Sequence, residues 1–210
     1  MTKLDLYNKL DPKICALLVI DIQIDFCSKH GLLGKRGRDL SLIDPMIDKL
    51  EKTIALAGKA GILTLYTQQK YDRVHLNDLQ KEQYDLDGKL PTCDIATDGY
   101  KFYRINPPEE SVFVKYNYNA FSNPELEKVL NKHKIKTLVI AGVDSDCCVE
   151  TAVRNAFDLG YKIVVPSDLV ATNGRRIELQ KRSLHLVERT YGVVIASSDL
   201  EKNWKTWVSP

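Results

Sequence analysis

Three residues of this chain stand where a carboxylate, an amine and a thiol can act together. Asp21 closes the apolar run Cys15 to Ile20 (CALLVI), and Lys115 closes the run Val112-Phe113-Val114. Cys148 follows the run Thr137 to Ala141 (TLVIA) after a short turn, at the start of a stretch with helical periodicity. A helix start and a nearby ammonium both favour a thiolate, which lowers a cysteine pKa into the nucleophilic range. A carboxylate alongside can take the thiol proton and hand it to a leaving group. Backbone N–H groups of the turn and the helix start can hold a developing oxyanion. Taken singly, the same residues also read as a capping Asp, a surface Lys and a small core Cys.

Such a site needs elements that bring several strand ends to one edge. Apolar runs at 15–20, 62–66, 112–114, 137–141, 162–165 and 193–196 read as strands. Between them lie helical stripes: Ile47, Leu50, Ile54 and Ala57; Leu126, Val129, Leu130 and His133; Val149, Ala152, Val153, Ala156 and Phe157; and Ile177, Leu184, Val187 and Tyr191. Ser122 or Asn123 caps the second of these, with Pro124 in its first turn. The alternation predicts an α/β fold: a doubly wound, mainly parallel six-stranded sheet with helices on both faces, an α/β/α sandwich. Ligands in such sheets sit beyond the carboxyl ends of the strands, where Asp21, Lys115 and Cys148 fall. Lys70 to Glu110 breaks the regularity. It is too long for a structureless loop, which rarely exceeds ~15 residues, and it predicts a short helix near Leu76 to Tyr84 within a lid or a subunit contact.

At 210 residues and ~150 residues per domain, the chain is expected to form one domain, 1–210, with a loop insertion at about 70–110. Lys plus Arg number 30 against 28 Asp plus Glu, so no overall polycation speaks for nucleic acid or anionic lipid. The longest apolar stretch, Ile14 to Ile20, is far shorter than the ~20 residues that span a bilayer. The start Met1 to Asp5 lacks a signal-peptide apolar core. Five cysteines suit reduced thiols in the cytoplasm better than a disulfide scaffold.

Asp21-Ile22-Gln23-Ile24-Asp25-Phe26 resembles the D-x-Q-x-D-F signature of the isochorismatase-like cysteine hydrolases. Lys115, followed by Asn119-Ala120-Phe121, resembles their lysine segment. Gly142-Val143-Asp144-Ser145-Asp146-Cys147-Cys148-Val149-Glu150-Thr151-Ala152 is similar to their nucleophile turn, and Cys93 to Gly99 looks like a diverged form of a further element. The resemblance runs from about Cys15 to about Leu200. It implies a catalytic triad of Asp21, Lys115 and Cys148. It also implies a cis peptide at Val143–Asp144, before an oxyanion donor. Val149 and Thr151 fit the motif only if Cys148 is the nucleophile, which leaves Cys147 as a passive neighbour. Asp144 and Ser145 depart from the pattern, and the Asp144 carboxylate is expected to point away from the oxyanion or to bind substrate.

Nicotinamidases of that family carry a metal site after the second strand. Here Gln69 and Tyr71 stand at the matching positions, and Asp72 with His75 reads as a surface pair, so no metal and no cofactor are expected. Gly31 to Gly37 lacks phosphate-loop spacing and reads as a flexible loop. A nucleophile serves amide cleavage but is superfluous for vinyl-ether cleavage. The expected function is therefore a metal-independent cysteine hydrolase acting on the C–N bond of a small amide, carbamoyl or ureido compound. The alternatives are a vinyl-ether hydrolase with Asp21 as acid, a metal-dependent nicotinamidase, and a catalytically silent binding or assembly module. Phe26, Tyr118, Asn119 and Phe121 are candidate substrate contacts. The long loop and the tail residues Trp204 and Trp207 point to a homo-oligomer.

Overall fold

The structure, a computed structural model, describes residues 8–88 and 90–208. The opening segment Met1 to Asp5 lies outside the described residues. The strands are β1 (Cys15–Ile20), β2 (Leu63–Gln69), β3 (Val112–Lys115), β4 (Thr137–Val143), β5 (Lys162–Pro166), β6 (Val170–Ala171) and β7 (Gly192–Ile195). The main helices are α1 (Ile43–Lys59), α2 (Asp78–Asp87), α3 (Pro124–Lys132), α4 (Cys148–Asp158), α5 (Ile177–Leu186) and α6 (Ser197–Lys205). The sheet runs β3-β2-β1-β4-β5-β7, and the two-residue β6 adds to the end of β4. Every pairing between these strands is parallel.

The strand pleat divides the interior into two cores. Leu17, Val19, Val139, Ala141 and Val164 pack on one face with Ile43, Ile47 and Leu50 of α1 and Leu200 and Trp204 of α6. Ala16, Leu18, Ile20, Leu138, Ile140 and Ile163 pack on the other with Leu126 and Leu130 of α3 and Val149, Ala152 and Val153 of α4. This is the period-two alternation of a sheet covered on both sides. It explains why β1 and β4 read as unbroken apolar runs. At Gly142, with φ +119°, a Cβ would stand 2.1 Å from the Ile20 carbonyl oxygen, so only glycine lets β4 pass β1 here.

Several elements differ from the sequence expectation. β2 continues through Thr67, Gln68 and Gln69, because these polar side chains find partners: Thr67 and Gln69 in Asp21 and Lys115, Gln68 in the Tyr100 carbonyl. Phe157 is 44% exposed on α4 and meets the Tyr191 ring edge-on. His133 is the exposed C-cap of α3, whose N-cap is Asn123. The stretch Val187–Tyr191 leaves α5 as a π-helical turn. Gly31 to Gly37 is not a flexible loop: Leu32–Lys35 makes a helical turn, and a Cβ on Gly31 would stand 2.0 Å from the Ile24 oxygen. In the long insertion, α2 begins with an Asn77/Gln80 capping box. Trp204 is fully buried against α1 within the same chain, which removes it as an interface residue.

A candidate active site at the carboxyl edge of the sheet

The sheet order places the ends of β3, β2, β1 and β4 side by side, and each contributes. Asp21 leaves β1 with φ +51°, a conformation uncommon outside glycine. Its Oδ1 accepts a hydrogen bond from Thr67 Oγ1 at 2.7 Å, and its Oδ2 lies 2.7 Å from Lys115 Nζ. Lys115 Nζ also donates to Gln69 Oε1 (2.8 Å) and the Asn117 carbonyl (2.9 Å), and it lies 3.6 Å from Cys148 Sγ. Thr67 and Gln69, two residues apart on one face of β2, thus fix the carboxylate and the ammonium. Cys148 is the first residue of α4, and Cys147 is its N-cap.

The electrostatics correct one expectation. Burial pulls the Lys115 ammonium down, but Asp21 and Cys148 outweigh it and hold its pKa above the usual lysine value. The Cys148 thiol, expected to be depressed, is pushed up by its hydrogen bond with Cys147, by burial and by Asp21, with Lys115 pulling the other way. Charge balance adds to the Cys147 contact. Asp21 and Lys115 already neutralise each other, so a Cys148 thiolate would add an uncompensated charge to a buried site. The same hydrogen bond draws the Cys147 thiol down, against burial and the Asp144 and Asp146 carboxylates.

The peptide Val143–Asp144 is cis. In the turn that follows, the N–H groups of Ser145, Cys147 and Val149 donate to backbone carbonyls. Those of Asp144 and Cys148 have no acceptor among the described residues. Beside them opens a cavity of about 120 Å³ lined by Phe26, Gln69, Tyr84, Thr92, Tyr118, Val143, Asp144, Cys147 and Cys148. Phe26 and Tyr118 thus line the cavity beside Cys148. Asn119 and Phe121 do not. The Asn119 side chain caps the turn at Phe121 and bonds Asn155, while the Phe121 ring packs on Tyr161. The Asp144 carboxylate is held by Arg38 and Arg176.

Sequence reasoning missed Thr67 as the support of Asp21, Tyr84 as a cavity wall, and Arg38. It weighed Gln69 only as a mismatch to a metal ligand. Same-face spacing at Thr67 and Gln69 was an available signal; for Arg38 there was none. Gln23 and Asp25 of the first motif act as braces. Gln23 bonds both backbone groups of Gln69 and the Tyr100 carbonyl, and Asp25 accepts from Leu32 and Cys93 N–H. The residues after β2 do not fit a metal centre. The Gln69 oxygen is taken by Lys115. Asp72 caps the turn at Val74 and pairs with His75, whose ring stacks on Tyr116. Among the described residues, no three His, Cys, Asp or Glu side chains gather as ligands.

Comparison with known proteins matches residues 15–199 to the isochorismatase domain. The ureidoacrylate amidohydrolase RutB of Acinetobacter baylyi is 28% identical over 205 residues, covering 89% of this chain and 82% of that protein. RutB of Klebsiella pneumoniae subsp. pneumoniae is 29% identical over 209 residues, covering 90% and 85%. Among solved structures, a cysteine hydrolase from Pseudomonas syringae pv. phaseolicola superposes with a TM-score of 0.81 at 19% identity, over 95% of this chain and 96% of that one. A pyrazinamidase/nicotinamidase from Streptococcus mutans gives 0.69 at 24% identity, over 86% and 99%. These likenesses establish the fold.

Proposed function

The chain belongs to the isochorismatase family, and on that premise we propose that it is a metal-independent cysteine amidohydrolase cleaving the C–N bond of a small amide, carbamoyl or ureido compound. The observation that carries this reading is Lys115 Nζ in contact with both Asp21 and Cys148 in a buried site. Cys148 Sγ attacks the carbonyl carbon as its proton passes to Asp21. The oxyanion takes the N–H groups of Asp144 and Cys148. Asp21 returns the proton to the leaving nitrogen, the C–N bond breaks, and an acyl- or carbamoyl-thioester remains. Water, deprotonated by Asp21, then releases the acid and the thiol. Lys115 keeps Asp21 in place and does not exchange protons.

A cavity of about 120 Å³ beside Cys148 suits a small compound. The Phe26 and Tyr118 rings suit a flat group. The names of the RutB relatives favour a ureido compound among the candidates. The test is a panel of small amides, carbamoyl compounds and ureides, read by ammonia release with Cys148→Ala as the blank. Turnover by the parent alone is expected. Undiminished hydrolysis by Cys148→Ala overturns the mechanism, and loss on Asp21→Ala with retention in Cys148→Ala on isochorismate would establish vinyl-ether cleavage instead.

All five cysteines are free thiols, which suits a cytoplasmic catalyst, and no helix among the described residues is long and apolar enough to cross a membrane. Val74, Leu79 and Leu86 in the insertion expose their side chains, which favours a homo-oligomer joined through that segment. Light scattering at high micromolar concentration tests it, and a monomer there refutes it.

A further inference from the structure

We propose that Arg38 is a positioning residue for the oxyanion site, and that its guanidinium holds the Asp144 carboxylate away from the place where negative charge develops. The inference rests on the amidohydrolase reading above. Asp144 has two faces toward the chemistry. Its backbone N–H has no acceptor among the described residues, and its residue lines the cavity beside Cys148. A carboxylate free to swing there would oppose the oxyanion and compete for the same N–H groups.

Arg38 answers that problem. Its side chain is 5% exposed, and Nη1 and Nη2 both donate to Asp144, the first to Oδ2 at 3.1 Å. A two-pronged guanidinium–carboxylate contact fixes the direction of the carboxylate as well as its charge. The Arg38 Nε makes no hydrogen bond among the described residues, so the buried fork is committed to Asp144. Arg176 backs the pair from the rim: its Nη2 lies 3.5 Å from Asp144 Oδ2 and 2.9 Å from Asp146 Oδ1. Two guanidinium groups thus meet two carboxylates with no net charge. The loop that carries Arg38 is fastened in turn, with Arg38 N–H donating to the Leu33 carbonyl and Gly174 N–H to that of Asp39.

The test reads the oxyanion site without needing the natural substrate. Isotope-labelled acetaldehyde is titrated into the protein and the hemithioacetal on Cys148 is followed by carbon NMR. The Sγ–C bond forms as the thiol proton moves to the aldehyde oxygen, so the adduct places an oxygen where the oxyanion would lie. Arg38→Gln is expected to weaken the adduct about tenfold, and Asp144→Asn introduced into that variant is expected to restore most of it. In the amide assay the same pair should lower and recover kcat with little change in KM. If Arg38→Gln does not fold, Arg38→Lys carries the comparison, since it keeps the charge but loses the fork. An adduct as tight in Arg38→Gln as in the parent overturns the proposal. So does a loss that Asp144→Asn fails to relieve, because Arg38 would then act on the fold or on the ligand directly. No adduct even in the parent overturns the amidohydrolase reading, and the role of Arg38 with it.

Discussion

The ammonium of Lys115 lies 2.7 Å from Oδ2 of Asp21, and both side chains are 1% exposed. Neither charge is tolerable at that depth alone. Each makes the other possible, and together they leave Cys148 beside a neutral pair.

Lys115→Met should therefore destabilise the fold by about 3–5 kcal/mol, the usual consequence of stranding one partner of a buried ion pair. Adding Asp21→Asn removes the stranded charge and should recover part of the loss. Urea midpoints of the two variants check this. Equal midpoints would show that the pair is not coupled.

Cys147→Ala removes the hydrogen bond that contributes most to pushing up the Cys148 thiol. Alkylation of Cys148 by iodoacetamide at neutral pH should then accelerate, as a larger fraction becomes thiolate. A rate equal to or below the parent's would refute the coupling between the two thiols.

Burial pushes up the thiols of Cys15, Cys27 and Cys93, with nearby carboxylates adding to it. Above a pH of about 9 the unfolded chain ionises these thiols while the folded one keeps its protons. The unfolded state then binds fewer protons, so stability falls as pH rises, by about 1.4 kcal/mol per pH unit for each thiol. Lys115 acts in the same direction: its raised value means that its contribution is present at neutral pH and lost as pH climbs through that value. Denaturation midpoints between neutral and alkaline pH should decline, and Cys27→Ala should decline less steeply. A flat profile would contradict the buried thiols.

Asp25 is 6% exposed and accepts the N–H of Leu32 and of Cys93, each at 2.7 Å. Asp25→Ala should cost about 3 kcal/mol, since hydrogen bonds to a charged group are worth more than neutral ones. It should also free the segment around Cys93, so that limited proteolysis cuts there sooner than in the parent. An unchanged cleavage pattern would show that other contacts hold the segment.

The alternation of apolar runs with helical stripes was enough to predict the α/β fold, because a strand covered on both faces must be apolar throughout, as Cys15 to Ile20 is. The strand ends where chemistry could sit followed from the same alternation, and the motifs around Asp21, Lys115 and Cys148 gave the family. The far end of β2 was legible only as the same-face spacing of Thr67 and Gln69. Thr67 and Gln69 look like loop residues until Asp21 and Lys115 are known to receive their side chains. For the same reason Asn119 and Phe121, close in sequence to Lys115, were placed near the substrate. In the fold they turn to Asn155 and Tyr161.

Sequence by itself determined the residue types, the strands that end in them and the family. Tertiary structure alone decided that Lys115 neutralises Asp21, that the Cys148 thiol is pushed up instead of down, and that Arg38 faces Asp144 across 106 positions of chain. Periodicity records which side of an element is buried. Charge balance and hydrogen-bond direction depend on which loops meet, and that is fixed only when the sheet brings distant strand ends to one edge.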